Sequence, residues 1–250
     1  MAGHSRWANI KRKKGALDVK RGKIFTKLVK EITIASRLGG PDPDANSRLR
    51  LAIQNARGAN VSKDTIERAI KKGSGADGTD YLEVTYEAYA LHGVAVFIEC
   101  TTDNINRTVQ NLRTAFTKLG GSLGTNGSLE FIFTRKGVFT FPQNEKIDEE
   151  QFTLDMIDAG ADDVEFEEGY VTVTCPMQEF GSIQKALDKM DLVPENAELQ
   201  RIPNSYVKLS NEELQKVMKL IEALEDDDDV QKVYHNIELN EEQVGLLSNN

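Results

Sequence analysis

At residues 73–78, Gly-Ser-Gly-Ala-Asp-Gly, two patterns of the chain change together. Before this segment, apolar residues recur every three to four positions, as in helices that bury one face. After it they alternate with period two in runs rich in β-branched and aromatic residues. The charge changes sign at the same place. Residues 1–78 carry 18 Lys or Arg against 7 Asp or Glu, net +11, while residues 79–250 carry 13 against 33, net −20, within an overall charge of −9. A Gly-rich linker at which period and charge both switch constrains the chain to a basic helical part followed by an acidic α+β part.

In the basic part, residues 17–38 place Ile24, Phe25, Leu28, Val29, Ile32 and Ala35 on one arc of a helix and Lys20, Lys23, Lys27, Lys30 and Arg37 on the other. Arg21 projects onto the apolar arc and marks either the helix start or a snorkelling side chain. The Gly39-Gly40-Pro41-Asp42-Pro43 stretch ends this helix. A second follows, capped by Asn46 or Ser47, with Leu49, Ala52, Ile53 and Ala56 inward and Gly58 as its stop; a third runs from the N-cap Ser62 to Gly73. Three short helices predict a bundle.

Beyond the linker, residues 81–89 and 93–100 read as a strand pair. A helix carrying Val109, Leu112, Ala115, Phe116 and Leu119 comes next, and residues 129–134 as a strand. The order strand, strand, helix, strand recurs at 164–168, 170–175, 178–190 and 197–202, with Cys100 and Cys175 closing matching strands. This predicts an α+β fold: an N-terminal three-helix domain (1–78), then two ferredoxin-like domains. The second (136–204) is inserted in the first (79–135 plus 205–240), and residues 241–250 form a tail. The sequence also allows a tandem order. A helix over 210–224 and a strand over 230–239 complete the middle domain.

Composition excludes several classes of function. Cys100 and Cys175 are the only cysteines, without a Cys-x-x-Cys pair, so neither a disulfide framework nor a zinc ribbon is expected, and a reducing cytoplasm fits. The longest apolar run, residues 94–98, is too short to span a bilayer. In place of the apolar core of a signal peptide stand Lys11, Arg12, Lys13 and Lys14. His4, His92 and His235 are scattered, neither cysteine neighbours a base, and Gly-x-Ser-x-Gly and His-Glu-x-x-His are absent, so the expectation is no enzyme, no cofactor and no metal.

The first thirty residues hold ten Lys or Arg and one acid, Asp18, which directs this end toward a polyanion. The nucleic-acid-binding set is His4, Ser5, Arg6, Trp7, Lys11, Arg12, Lys13, Lys14, Lys20, Arg21, Lys23, Lys27 and Lys30. Lys and Arg neutralise phosphates, and Trp7 either stacks on a base or anchors the helical domain. Secondary candidates are Lys63, Arg68, Lys71 and Lys72, on the second helix of a helix-turn-helix-like pair that carries no Asn or Gln for base edges. Asn104, Asn106 and Arg107 are further candidates; they open a helix after a strand, where anion binding competes with helix capping. Residues 120–127 are Gly-rich but read as a connection, because the order helix-to-strand reverses that of a phosphate loop. The five consecutive acids at 225–229 read as a solvated loop.

The opening Met-Ala-Gly-His-Ser-Arg-Trp-Ala-Asn-Ile-Lys, with Lys-Arg-Gly-Lys-Ile-Phe-Thr-Lys-Leu from residue 20, resembles the start of the YebC/PmpR family. Gly-Val-Ala-Val-Phe-Ile-Glu from residue 93, Thr102-Asp103-Asn104, Asn106-Arg107-Thr108, Gly120-Gly121 and Gly127-Ser128 resemble its middle block. Ala88, Leu91, His92 and Ile105 depart from that pattern. The resemblance implies a helical domain and two α+β domains, no catalytic residues, and a role in gene expression. That role is either DNA-binding transcriptional regulation or a ribosome-associated translation factor acting on stalling or activation. The expected partners are DNA or ribosomal RNA for the basic end and ribosome or transcription machinery for the acidic domains, with the protein a cytoplasmic monomer away from membranes.

Overall fold

The computed structural model describes residues 18–75, 81–145, 147–167 and 169–248. Three helices come first: α1 (Asp18–Gly39), α2 (Ser47–Gly58) and α3 (Lys63–Ser74). Their ends follow local chemistry. The Asn46 side chain accepts from the backbone N–H of Leu49, and Ser62 does the same for Thr65. The remaining elements are β1 (Leu82–Ala90), β2 (Ala95–Thr102), α4 (Ile105–Leu119), β3 (Gly121–Leu123), β4 (Phe133–Pro142), α5 (Glu149–Asp158), β5 (Asp163–Glu167), β6 (Tyr170–Pro176), α6 (Phe180–Lys189), β7 (Asn196–Pro203), β8 (Val207–Lys208), α7 (Asn211–Glu225), β9 (Val230–His235), β10 (Ile237–Glu238) and α8 (Glu241–Ser248).

The chain divides into two compact units, Met1–Lys27 with Thr79–Thr134 and Ile202–Asn250, and Leu28–Gly78 with Arg135–Arg201. The first unit is a four-stranded sheet of order β3-β1-β2-β9. Ala88, Val96, Ile98 and Cys100 point from it into a core closed by Leu112 and Phe116 of α4 and Leu214, Val217 and Ile221 of α7. On the opposite face, Leu129 and Phe133 cover Ala95, Phe97 and Tyr234. Covered on both faces, β2 is buried at every position but Glu99, which accounts for the unbroken apolar run read from the sequence. The α7 helix begins with a capping box between Ser210 and Glu213.

The second unit holds a sheet of order β5-β6-β4-β7, with β4 and β6 antiparallel, in the chain order βαββαβ. Phe139, Phe141, Val171, Val173 and Cys175 meet Phe152 and Met156 of α5 and Ile183 and Leu187 of α6. The helices of residues 28–75 belong to this same unit, a different grouping from the division at residue 78. The reason lies in α2. Asn55 Nδ2 donates to the Ala197 carbonyl and Asn55 Oδ1 accepts from the Ala197 N–H, each at 2.9 Å, while Gln54 reaches the Pro194 carbonyl. A Cβ at Gly58 would overlap the Glu195 carbonyl, so only glycine permits this approach. Asn55→Ala is expected to cost about 1–2 kcal/mol, since two backbone groups at the start of β7 lose their partner. A matching fall in calorimetric melting temperature checks it.

Three details differ from the sequence expectation. Residues 129–134 do not form a strand of the first sheet; turns run to residue 132, and β4 starts at Phe133 and continues into the second sheet. The first sheet's edge is instead β3, taken from the Gly-rich stretch read as a connection, paired Ala90↔Gly121 and Ala88↔Leu123. Gly121 has φ +119, and a Cβ there would overlap the Tyr89 carbonyl, so a residue type depleted in strands makes this edge possible. Finally, residues 241–250 include α8 rather than only a tail, because Leu247 is buried and Gln243 donates to the Leu209 carbonyl at 2.8 Å. The two sheets share hairpin, helix and strand in sequence order, but β3 lands beside β1 whereas β7 lands beside β4.

Candidate nucleic-acid interface

The apolar arc of α1 packs through Ile32 and Ala35, and Ile34, which the helical spacing places among the lysines on the opposite arc, is buried as well, each almost fully. Ile24, expected on that arc, is 40% exposed, because the packed stretch of the helix begins further on. Lys23 is exposed, while Lys27 and Lys30 are half-buried. Lys23 Nζ sits 2.5 Å from Asp226 Oδ1, and Lys27 Nζ donates to the Glu225 carbonyl at 2.9 Å. The predicted residues His4, Ser5, Arg6, Trp7, Lys11, Arg12, Lys13 and Lys14 lie outside the described residues, as do the side chains of Lys20 and Arg21.

On α3, Ile66 and Ala69 face inward and Lys63, Arg68, Lys71 and Lys72 are exposed. Lys63 lies 3.7 Å from Glu67, a surface pair of little energetic weight. Arg68 folds back on its own helix, donating from Nε to the Asp64 carbonyl at 3.1 Å and from Nη2 to Thr65 Oγ1 at 3.3 Å. The turn before α3 is tight, with Asn60 at φ +61. The outward face of α3 therefore presents Lys and Arg without amide side chains, a surface suited to phosphate that lacks the amides which pair with adenine.

The third candidate set is committed elsewhere. Asn104 is the N-cap of α4, accepting from the Arg107 N–H at 3.1 Å. The Arg107 guanidinium binds both carboxylate oxygens of Asp229, at 2.8 to 3.1 Å, and Asp103 at 2.7 Å. Hydrogen bonding to Asp229 and then Asp103 raises its already high basicity. Arg107 thus anchors the acidic segment, and of the three residues Asn106 alone keeps an exposed side chain without a described contact.

The acidic run at 225–229 departs most from its reading as a solvated loop. Asp229 is 5% exposed; besides Arg107 it accepts from Thr108 Oγ1 at 2.9 Å, and its carbonyl accepts from the Thr101 N–H. Burial pushes its carboxyl up, and the bonds from Arg107 and Thr108 with the guanidinium charge outweigh that, leaving it below the usual carboxylate range. Asp227 accepts from the Asp229 N–H and from Asn111 Nδ2. Nothing local in five consecutive acids distinguishes these roles, since the partners sit more than a hundred positions away.

Burial pushes the Cys175 thiol up to about 11, far from a thiolate at neutral pH. Among the described residues, no group of His, Cys, Asp and Glu is arranged to hold a metal ion, and no helix is long and apolar enough to cross a membrane. A shallow groove between α4 and α7, lined by Asn111, Thr114, Ala115, Lys118, Leu119 and Ala223, lacks convergent catalytic groups.

Comparison with known proteins agrees along almost the whole chain. The model described as "TACO1/YebC protein N-terminal domain" matches residues 5–76, and "TACO1/YebC second and third domain" matches 81–237. A "probable transcriptional regulatory protein" of Amoebophilus asiaticus is 58% identical over 244 residues, covering 97% of this chain and 100% of that one. The similarly named YrbC of Bacillus subtilis is 48% identical, covering 94% and 99%. A crystal structure of a conserved hypothetical protein, Aq1575 from Aquifex aeolicus, shares the α+β fold with a TM-score of 0.79 at 44% identity, over 90% of this chain and 93% of that one. With both family models matched in chain order and relatives near half identity over their full length, the chain belongs to the TACO1/YebC family.

Proposed function

We infer that the protein is a non-enzymatic regulator of gene expression that binds nucleic acid through its basic helical part. The observation that carries this reading is the separation of charge, +11 in residues 1–78 against −20 in the rest. The exposed Lys63, Arg68, Lys71 and Lys72 give α3 a cationic face of its own. The names of the relatives as transcriptional regulatory proteins support the regulatory role and favour DNA. In this reading the acidic parts, 79–135 plus 205–240 and 136–204, face a protein partner, and the protein works as a cytoplasmic monomer.

A second target, ribosomal RNA in a translation factor, is favoured by one feature: the outward face of α3 holds Lys and Arg without Asn or Gln, so this helix lacks the amides that pair with adenine in a DNA groove, while its cations serve any phosphate backbone. In-cell crosslinking followed by sequencing of both RNA and DNA separates the two. Discrete promoter peaks are expected for the transcriptional role; dominant ribosomal RNA reads would replace it with the translational one.

A further inference from the structure

The carboxyl end of α7 has an electrostatic problem. A helix C-terminus carries partial negative charge on its unpaired carbonyls and is stabilised by cations, yet the last turn of α7 holds no base and runs into the acids of 225–229. The missing cations come from α1. Lys27 donates to the Glu225 carbonyl at 2.9 Å, and Lys23, one helical turn earlier, meets the carboxylate of Asp226, the C-cap residue, at 2.5 Å. The acidic turn is held in place to receive them. Asp229 is clamped by Arg107 and Thr108, and Asp227 by Asn111 and the Asp229 N–H. Asp226 is left directed at α1 with its side chain 61% accessible, against 46% for Lys23.

We propose that this turn is an internal competitor for the phosphate-facing lysines, with Asp226 as the residue that sets which anions bind. The proposal rests on the nucleic-acid reading above and deepens it. An exposed ion pair is weak and exchanges readily, so a nucleic acid with closely spaced phosphates displaces Asp226 by engaging several cations at once. A lone anion, engaging one lysine, gains too little to do so. The carboxylate thereby filters for polymeric phosphate and lowers adhesion to scattered acidic groups.

The test uses the full-length protein and four forms: wild type, Asp226→Asn, Lys23→Ala, and the two substitutions combined. Glu241→Gln, which removes one exposed negative charge from α8, serves as the control for net charge. Affinity is read by fluorescence anisotropy for a mixed-sequence RNA oligomer and a DNA duplex of equal length at moderate and high salt. Asp226→Asn is expected to bind about three- to fivefold more tightly at moderate salt, the gain fading at high salt. Glu241→Gln should leave affinity unchanged, and Asp226→Asn should bring no gain once Lys23 is alanine. An equal gain in Glu241→Gln, or a gain that persists in the Lys23→Ala background, overturns the competitor while leaving the nucleic-acid reading standing. Absence of salt-sensitive binding in every form overturns both.

Discussion

Replacing Lys11, Arg12, Lys13 and Lys14 together by glutamate is expected to weaken binding to RNA and to DNA by at least about a hundredfold near physiological salt. Affinity for a polyanion comes largely from counterions released when cations neutralise phosphates, each contact adding about 0.9 to the salt dependence on duplex and about 0.7 on single strands. About six contacts give a slope of log affinity on log salt near −4 to −5, and losing four of them flattens it to about −1.5. The slope is the sharper observable, because it counts contacts where a single affinity does not. Binding titrations across a salt series measure it, with circular dichroism to confirm that the fold is kept. An unaltered slope would move the interface to other cations, with Lys63, Arg68, Lys71 and Lys72 of α3 next in line.

Asp229→Ala is expected to destabilise the unit built on the β3-β1-β2-β9 sheet by about 2–3 kcal/mol, the range for charge-assisted hydrogen bonds lost at a buried position. The buried carboxylate receives Arg107 and Thr108 and fixes the turn between α7 and β9. The effect should stop short of that for a fully buried pair, since the Arg107 side chain is 46% accessible and can turn to water. The same contacts predict a pH dependence. A carboxyl held below its ordinary value in the folded protein adds stability that is complete above the unfolded value, about 3.9, and is lost as pH falls through the folded one. Urea titrations should therefore show the difference between wild type and Asp229→Ala shrinking below about pH 4. A difference that stays constant down to pH 2 would show that Asp229 acts through shape rather than charge.

What could be read from the sequence was what is decided within a few residues. Asn46, Ser62 and Ser210 cap helices because the groups they satisfy lie three positions on, and those helices appear where the caps place them. The strand over residues 93–100 is equally plain, and the structure buries its apolar run on both faces of the sheet. Local rules failed where a distant partner decides. Arg107 follows a strand and opens a helix, as an anion-binding residue would, and only the fold reveals that its anion is Asp229, 122 positions away. Gly121 looks like part of a connection because glycine is a poor strand former, yet close approach to Tyr89 makes it the residue the sheet edge needs. The candidate interface shows the same contrast. Its charge was evident by counting, whereas the engagement of Lys23 and Lys27 with the end of α7 depends on where the chain returns about 200 residues later.

The contact between α2 and the segment leading into β7 bears on how the cationic end should be isolated. Cutting at residue 78 follows the composition but severs Asn55 from Ala197 and bares Leu51, which packs on the core of the inserted sheet. Such a fragment would forfeit the scaffold that shapes α2, and feeble RNA or DNA capture by it would report a loosened polypeptide instead of a missing activity. Helix α2 borrows its rigidity from chain translated 142 residues afterwards, so it does not reach its final packing until that stretch has left the ribosome.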